Sequence, residues 1–226
     1  GDVITDAEDN VYISSVTSSL DFPTVNGLDN TYNGGPTDAL VAKLNPDLTG
    51  LVWSTFLGGA GSEASLTIKF DKAGNILVGG GTTSFDFPVT AGAYQPTIGG
   101  DADGWIAKIN SGGNAIIEST FTGTSAYDQV YFLDLNEDDE VYLYGQTAGN
   151  FPVTAGVYSN ANSGQFIQKL DATLSTLVFS TVIGSGRGIP DISPTAFLVN
   201  ECNNLYLAGW GGIVNIQSLH WQNNSL

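Results

Sequence analysis

The chain has 226 residues, 42% of them hydrophobic, so it can bury a sizeable core, yet only 13% are charged and 29 are glycine. That balance excludes a helical bundle and points to short strands joined by many turns. Six basic residues against 23 acidic ones give a net charge of −17, which excludes nucleic acid and an anionic membrane surface as partners, because both need clustered Lys and Arg, and which favours solubility and cation attraction.

In chain order, "GDVIT" reads as an inner strand, followed by the turn phrase "DAEDNVY" from Asp6 to Tyr12. "DFPTVNGLDN" begins at Asp21, and the apolar runs "ALVAKLN" and "LVWSTFLGG" begin at Ala39 and Leu51. The same phrases then return. Leu66, Ile68 and Phe70 alternate as a first strand, and "DKAGNIL" turns from Asp71. A second strand runs from Ile76 to about Gly80, and "DFPVTAGAYQ" begins at Asp86. A third strand spans Trp105 to Ile109 and ends at the turn Ser111 to Asn114; a fourth spans Ile116 to Phe121 and closes at Gly123. The third copy shows "NEDDEVY" from Asn136, "NFPVTAGVYS" from Asn150, "QFIQKLD" from Gln165 and "LVFSTVIGS" from Leu177. "NECNNLY" from Asn200 starts a fourth.

The turn phrase recurs at steps of 65, 65 and 64 residues, and several independent phrases keep that period. Four antiparallel strands per repeat, several repeats in a row, is the pattern of an all-β β-propeller built from four-stranded blades. Blades pack face to face, so their strands read as apolar runs rather than clean alternations. The repeats run over about 1–62, 63–127, 128–190 and 191–226, one partial domain of about three and a half blades. In the fourth, "IVNIQSLHWQNNSL" stands where the F-P phrase is expected near position 216, so its third and fourth strands are missing from the pattern. The expectation is a fragment of a larger ring that forms no stable closed monomer alone and contacts further blades of the same parent protein, or another subunit. The chain has no methionine and no signal-peptide pattern at its start, as expected of a processed or excised piece of something longer. No run approaches the roughly 18 apolar residues of a membrane helix.

The "DFPVTAGAYQ" phrase lies between the second and third strands. Pro88 biases Phe87 toward extended geometry. Thr90 suits a helix N-cap, with Val89 and Tyr94 as a hydrophobic staple, and Thr154 with Val153 and Tyr158 repeats the set. One short helical turn per blade is therefore expected. In the first repeat Val25 takes the cap position and Asp29 the place of the tyrosine, so the turn should be weaker or absent there.

Catalytic candidates are weak. His220 and Cys202 are each the only residue of their kind, and nothing suggests partners converging on either. No dinucleotide fingerprint follows a strand. The run Glu137, Asp138, Asp139, Glu140 is the densest acidic cluster and the one place calcium is weighed, but it occupies a hairpin-turn position where Asp, Asn and Gly are ordinary turn residues. Lys43, Lys108 and Lys169 recur in the third strand and read most simply as structural ion pairs near a blade edge. Trp105 reads as core. Trp210, flanked by small residues, reads as partly exposed.

"DALVAKLNPDLTGLVWSTFLGG" followed by "DKAGNILVGGGTTSFDFPVTAGAYQ" resembles the bacterial SBBP repeat, named for a seven-bladed β-propeller. The resemblance covers roughly residues 1–212 and is strongest in the second repeat. It implies an extracellular or cell-surface location in a large secreted protein, often in bacteria with type IX secretion, and a scaffold role with no catalytic motif. The leading functional expectation is thus a non-enzymatic structural or adhesive module without a cofactor. Its alternatives are a multivalent lectin-like propeller that binds surface glycans through Tyr94, Tyr158 and Trp210, and part of a propeller enzyme whose site lies on other residues.

Overall fold

The computed structural model describes residues 1–211 and is all-β, with no helix among them. Sheet I comprises β1 (Asp2–Thr5), β2 (Val11–Thr17), β3 (Asp38–Leu44) and β4 (Leu51–Leu57). Sheet II comprises β5 (Glu63–Phe70), β6 (Ile76–Thr82), β7 (Asp103–Ile109) and β8 (Ile116–Thr122). Sheet III comprises β9 (Asp128–Leu135), β10 (Val141–Thr147), β11 (Gln165–Leu170) and β12 (Leu177–Ile183), and sheet IV comprises β13 (Ile192–Val199) and β14 (Leu205–Gly211). In the three complete sheets the strands pair antiparallel in sequence order, as blade-like meanders. The end of the fourth repeat, where the sequence pattern lacks a third and a fourth strand, and His220 lie outside the described residues.

The turn phrases fold as the residue types demand. The side-chain Oδ1 of Asp6, Asp71, Asn136 and Asn200 accepts the backbone N–H two and four residues on. The residue three positions on has a positive φ: Asp9, Gly74, Asp139 and Asn203. Asp, Asn and Gly are the types that tolerate this backbone, which is why the phrase repeats in type rather than in identity. In each complete sheet a register shift follows the lysine of the third strand, at Lys43, Lys108 and Lys169.

The sheets stack face to face over three apolar cores. Tyr12, Val41 and Trp53 of sheet I meet Ile68, Ile76, Val78, Trp105 and Phe121 of sheet II. Leu77 and Ile106 of sheet II meet Val130, Leu133, Leu143 and Phe166 of sheet III. Tyr142, Tyr144 and Ile167 of sheet III meet Phe197 and Val199 of sheet IV. Each middle sheet therefore buries both faces. Trp105 is fully buried and its Nε1–H donates to the Gly81 carbonyl at 3.0 Å, satisfying the one polar atom of the ring.

The segment after each second strand corrects the expected helical turn. It runs along the outer edge of the fourth strand instead. Ser119 donates its N–H to Thr90 Oγ1 at 2.9 Å, and Phe121 donates to the Gln95 carbonyl at 3.1 Å. Ser180 likewise donates to Thr154 Oγ1 at 2.9 Å, and Asn160 donates to the Val182 carbonyl. The threonine hydroxyls bond the sheet edge, so they cap no helix. Thr90–Ala93 and Thr154–Val157 close as single β-turns with Gly92 and Gly156 at positive φ in the third position. Val89 and Tyr94 do not act as a staple within one element: Val89 packs on the first core and Tyr94 on the second. The equivalent of Tyr94 in the first repeat is Leu28, not Asp29. Leu28 N–H bonds the Gly113 carbonyl of sheet II as Tyr94 N–H bonds the Leu174 carbonyl of sheet III. Gly113 and Leu174 are matching positive-φ residues of successive outer hairpins.

Candidate functional site

The polar residues that repeat with the period fall into two groups. One is the lysine set. Lys43 lies 3.1 Å from Asp6, Lys108 lies 3.1 Å from Glu118, and Lys169 pairs with Glu140. Lys43 and Lys169 also sit over the rings of Tyr12 and Tyr142, at 4.8 and 5.0 Å from the centroids. Lys43 and Lys169 thus cover aromatic surface, and all three lysines are engaged by carboxylates. For Asp6, burial works to raise the carboxyl, but hydrogen bonds from Asn10, Lys43 and Tyr12 win and hold it well below the usual carboxylate range. The Lys169 bond chiefly lowers Glu140.

The acidic turn of sheet III is gripped from its neighbours. Lys72 Nζ of sheet II lies 2.9 Å from Glu137 Oε2, and Lys72 N–H donates to Asp139 Oδ1 at 3.1 Å. Asn136 Nδ2 donates to Asn203 Oδ1 of sheet IV at 2.9 Å. The turn thus links three sheets. Beside it a cleft of about 490 Å³ is lined by Leu135, Asn136 and Glu137 on one side and by residues from Leu198 to Cys202 on the other. Cys202 is an exposed free thiol there.

The second group sits at the starts of the first and third strands, where two sheets meet. Asp38 and Glu63 flank the seam between sheets I and II; Asp103 and Asp128 flank that between sheets II and III. All four are fully buried. Backbone bonds across the seams place them side by side: Glu63 N–H donates to the Thr37 carbonyl and Asp128 N–H to the Ala102 carbonyl, both at 2.8 Å. Burial pushes the carboxyls of Asp38, Glu63 and Asp128 up. Burial, reinforced by the charge of Asp128, takes Asp103 up to about 6. Among the described residues no group of three or more His, Cys, Asp or Glu side chains is placed to hold a metal. Nothing local in the sequence singles these carboxylates out, because burial of an acid leaves no mark in its neighbouring residues. The signal was the period itself, which sets Asp103 65 residues after Asp38 and Asp128 65 residues after Glu63.

The three candidate ligand-binding aromatics stand on three different sheets. Tyr94 is half-buried against the second core, Tyr158 on sheet III is 75% exposed, and Trp210 on β14 is 54% exposed. Tyr94 is thereby committed to packing, while Tyr158 and Trp210 present their rings to solvent.

No family model matches the chain, and no curated protein matches it.

Proposed function

We propose that the chain is part of an SBBP-type β-propeller and serves as a non-enzymatic structural or adhesive module of a larger secreted or cell-surface protein. Its sheets are radially arranged blades, and the open faces of the first and fourth repeats receive further blades of the same parent protein or of another subunit. One comparison carries this reading. Tyr12, Leu77 and Tyr142 occupy one repeating position and are buried by the following sheet, whereas the fourth occupant, Tyr206, is 54% exposed. On the opposite face Ile68 and Leu133 are buried by the preceding sheet, whereas the first occupant, Val3, is 59% exposed. Apolar faces of this kind are interaction surfaces. The test is to measure size and thermal unfolding of residues 1–226 alone. Self-association through the open faces is the expected result; a monodisperse monomer with a cooperative transition overturns the reading.

The exposed rings of Tyr158 and Trp210 favour a second reading, a carbohydrate-binding surface. A glycan array with the intact parent separates the two: glycan binding lost in Tyr158→Ala and Trp210→Ala supports the lectin, and no binding leaves the scaffold.

A further inference from the structure

Three sheet seams can be compared. At the seam between sheets III and IV, Gly164 stands where Asp38 and Asp103 stand at the others, since its carbonyl accepts the Thr147 N–H. The remaining acid there, Asp191, is bound by Arg187 at 2.6 Å. The two earlier seams hold two carboxylates each and have no such partner. All six basic residues of the chain are engaged by other acids: Lys43 by Asp6, Lys69 by Asp134, Lys72 by Glu137, Lys108 by Glu118, Lys169 by Glu140 and Arg187 by Asp191.

The seam between sheets II and III is the more exposed in its chemistry. Asp103 Oδ2 accepts from Gly99 N–H at 2.8 Å and from Gln95 Nε2 at 2.6 Å. Asp128 Oδ2 accepts from Thr124 N–H at 2.6 Å and from Thr124 Oγ1 at 2.7 Å. These donors stabilise the ionised forms. The other oxygen of each, Oδ1, is sealed from solvent and has no donor in good hydrogen-bond geometry among the described residues, although the Gly100 N–H and the Thr147 hydroxyl stand near enough to Asp103 and Asp128 to favour their ionised forms. Gly123 closes over Asp103: a β-carbon there would lie 2.4 Å from its Cγ. Two buried carboxylates side by side with no cation facing them are costly unless something neutralises them. At the first seam Glu63 has donors on both oxygens, from Thr82, Ser84 and Gly59, and only Asp38 Oδ1 is left over.

We propose that Asp103 and Asp128 form a binding site for a hard divalent cation, of which calcium is the best match. Both ligands are carboxylate oxygens, the donors a hard cation prefers, and calcium accepts them without strict geometry. The cation joins sheet II to sheet III, so its binding reads out as stability rather than turnover. The site is distinct from the acidic turn at Glu137–Glu140, whose carboxylates Glu137 and Glu140 already bond lysines.

The test uses the full chain, stripped with a chelator at pH 7.5 and titrated with calcium chloride alone. Calcium at 10 mM should raise Tm by about 3–10 °C, as linkage predicts for a site of millimolar affinity. Asp128→Asn and Asp103→Asn should abolish the shift. In chelator each should melt at or above the wild type, because the substitution removes like-charge repulsion; this keeps the test valid if the wild type is fragile without metal. Gly123→Ala should weaken the calcium response by displacing the Asp103 carboxylate. An undiminished shift in both Asn variants overturns the proposal by placing calcium elsewhere. No calcium response, together with stabilisation on acidification, also overturns it and assigns the pair a shared proton.

Discussion

A β-carbon on Gly113 would lie 2.2 Å from the indole Cδ2 of Trp53, so the outer hairpin of sheet II rests on the ring that closes sheet I. Gly113 also has a φ of 72°. Gly74 has a similar φ of 79° but open space around it. Gly113→Ala should therefore cost roughly 2–4 kcal/mol, backbone strain plus displacement of a rigid ring, and Gly74→Ala only about 1 kcal/mol. Denaturant unfolding of the two variants measures the difference; equal costs would show that the indole moves aside freely.

Thr90 has replaced a cap by an edge contact. Thr90→Val keeps the shape and removes the acceptor of the Ser119 N–H, so it should lower stability by about 1–2 kcal/mol. Thr90→Ser should recover most of it, since the hydroxyl is retained. Hydrogen exchange at Ser119 gives the local readout: faster exchange in the valine variant and near-native exchange in the serine variant.

Much of the fold is legible in the chain because the period isolates each element from its surroundings. The sequence strands Ile76 to Gly80, Trp105 to Ile109 and Ile116 to Phe121 fall within β6, β7 and β8, each a residue or two short at one end. Those ends are Thr82, Asp103 and Thr122, polar residues buried at a seam, where the apolar run stops before the strand does. The helical turn fails for a related reason. A threonine followed by small residues and an aromatic satisfies N-cap and staple rules locally, but the fourth strand offers unpaired N–H groups along its edge, and the hydroxyl goes there. The buried carboxylates escape because burial of an acid is a tertiary property, decided by which residue stands across the seam.

The same carboxylates predict an unusual pH dependence in metal-free solution. Burial takes Asp103 up to about 6, above its ordinary value of 3.8. A raised folded-state value means the folded chain holds the proton more tightly than the unfolded chain. Stability contributed this way is present below about 4 and is lost as pH rises toward 6. In chelator, lowering the pH from 7 to about 5 should thus stabilise the chain, with an upper bound of about 1.3 kcal/mol from Asp103 over that interval. Below about 4 the trend should reverse, because Asp6 and Glu140, held low by their partners, begin to take up protons and lose their lysine pairs. Asp103→Asn should flatten the rise between pH 7 and 5 without moving the acid limb. Thermal melts across pH 3.5–7.5 decide it, and an unchanged slope in the variant would assign the effect to other groups.

Tyr94 and Tyr158 occupy equivalent places in successive repeats but different surroundings. Tyr94 packs against the second core and its N–H bonds the Leu174 carbonyl of the next sheet. Tyr158 is 75% exposed. In the chain of 226 residues, Tyr94→Ala should cost roughly 1–3 kcal/mol through lost burial, while Tyr158→Ala should stay within about 0.5 kcal/mol of the parent. Within the larger assembly proposed above, the next outer hairpin would meet Tyr158 as sheet III meets Tyr94, and the two substitutions should then become similarly costly. Parallel denaturation of both variants, in residues 1–226 and in the intact parent, makes the comparison. A Tyr158→Ala variant as neutral in the parent as in the shorter chain would mean that no further blade docks on sheet III in the way the earlier seams do.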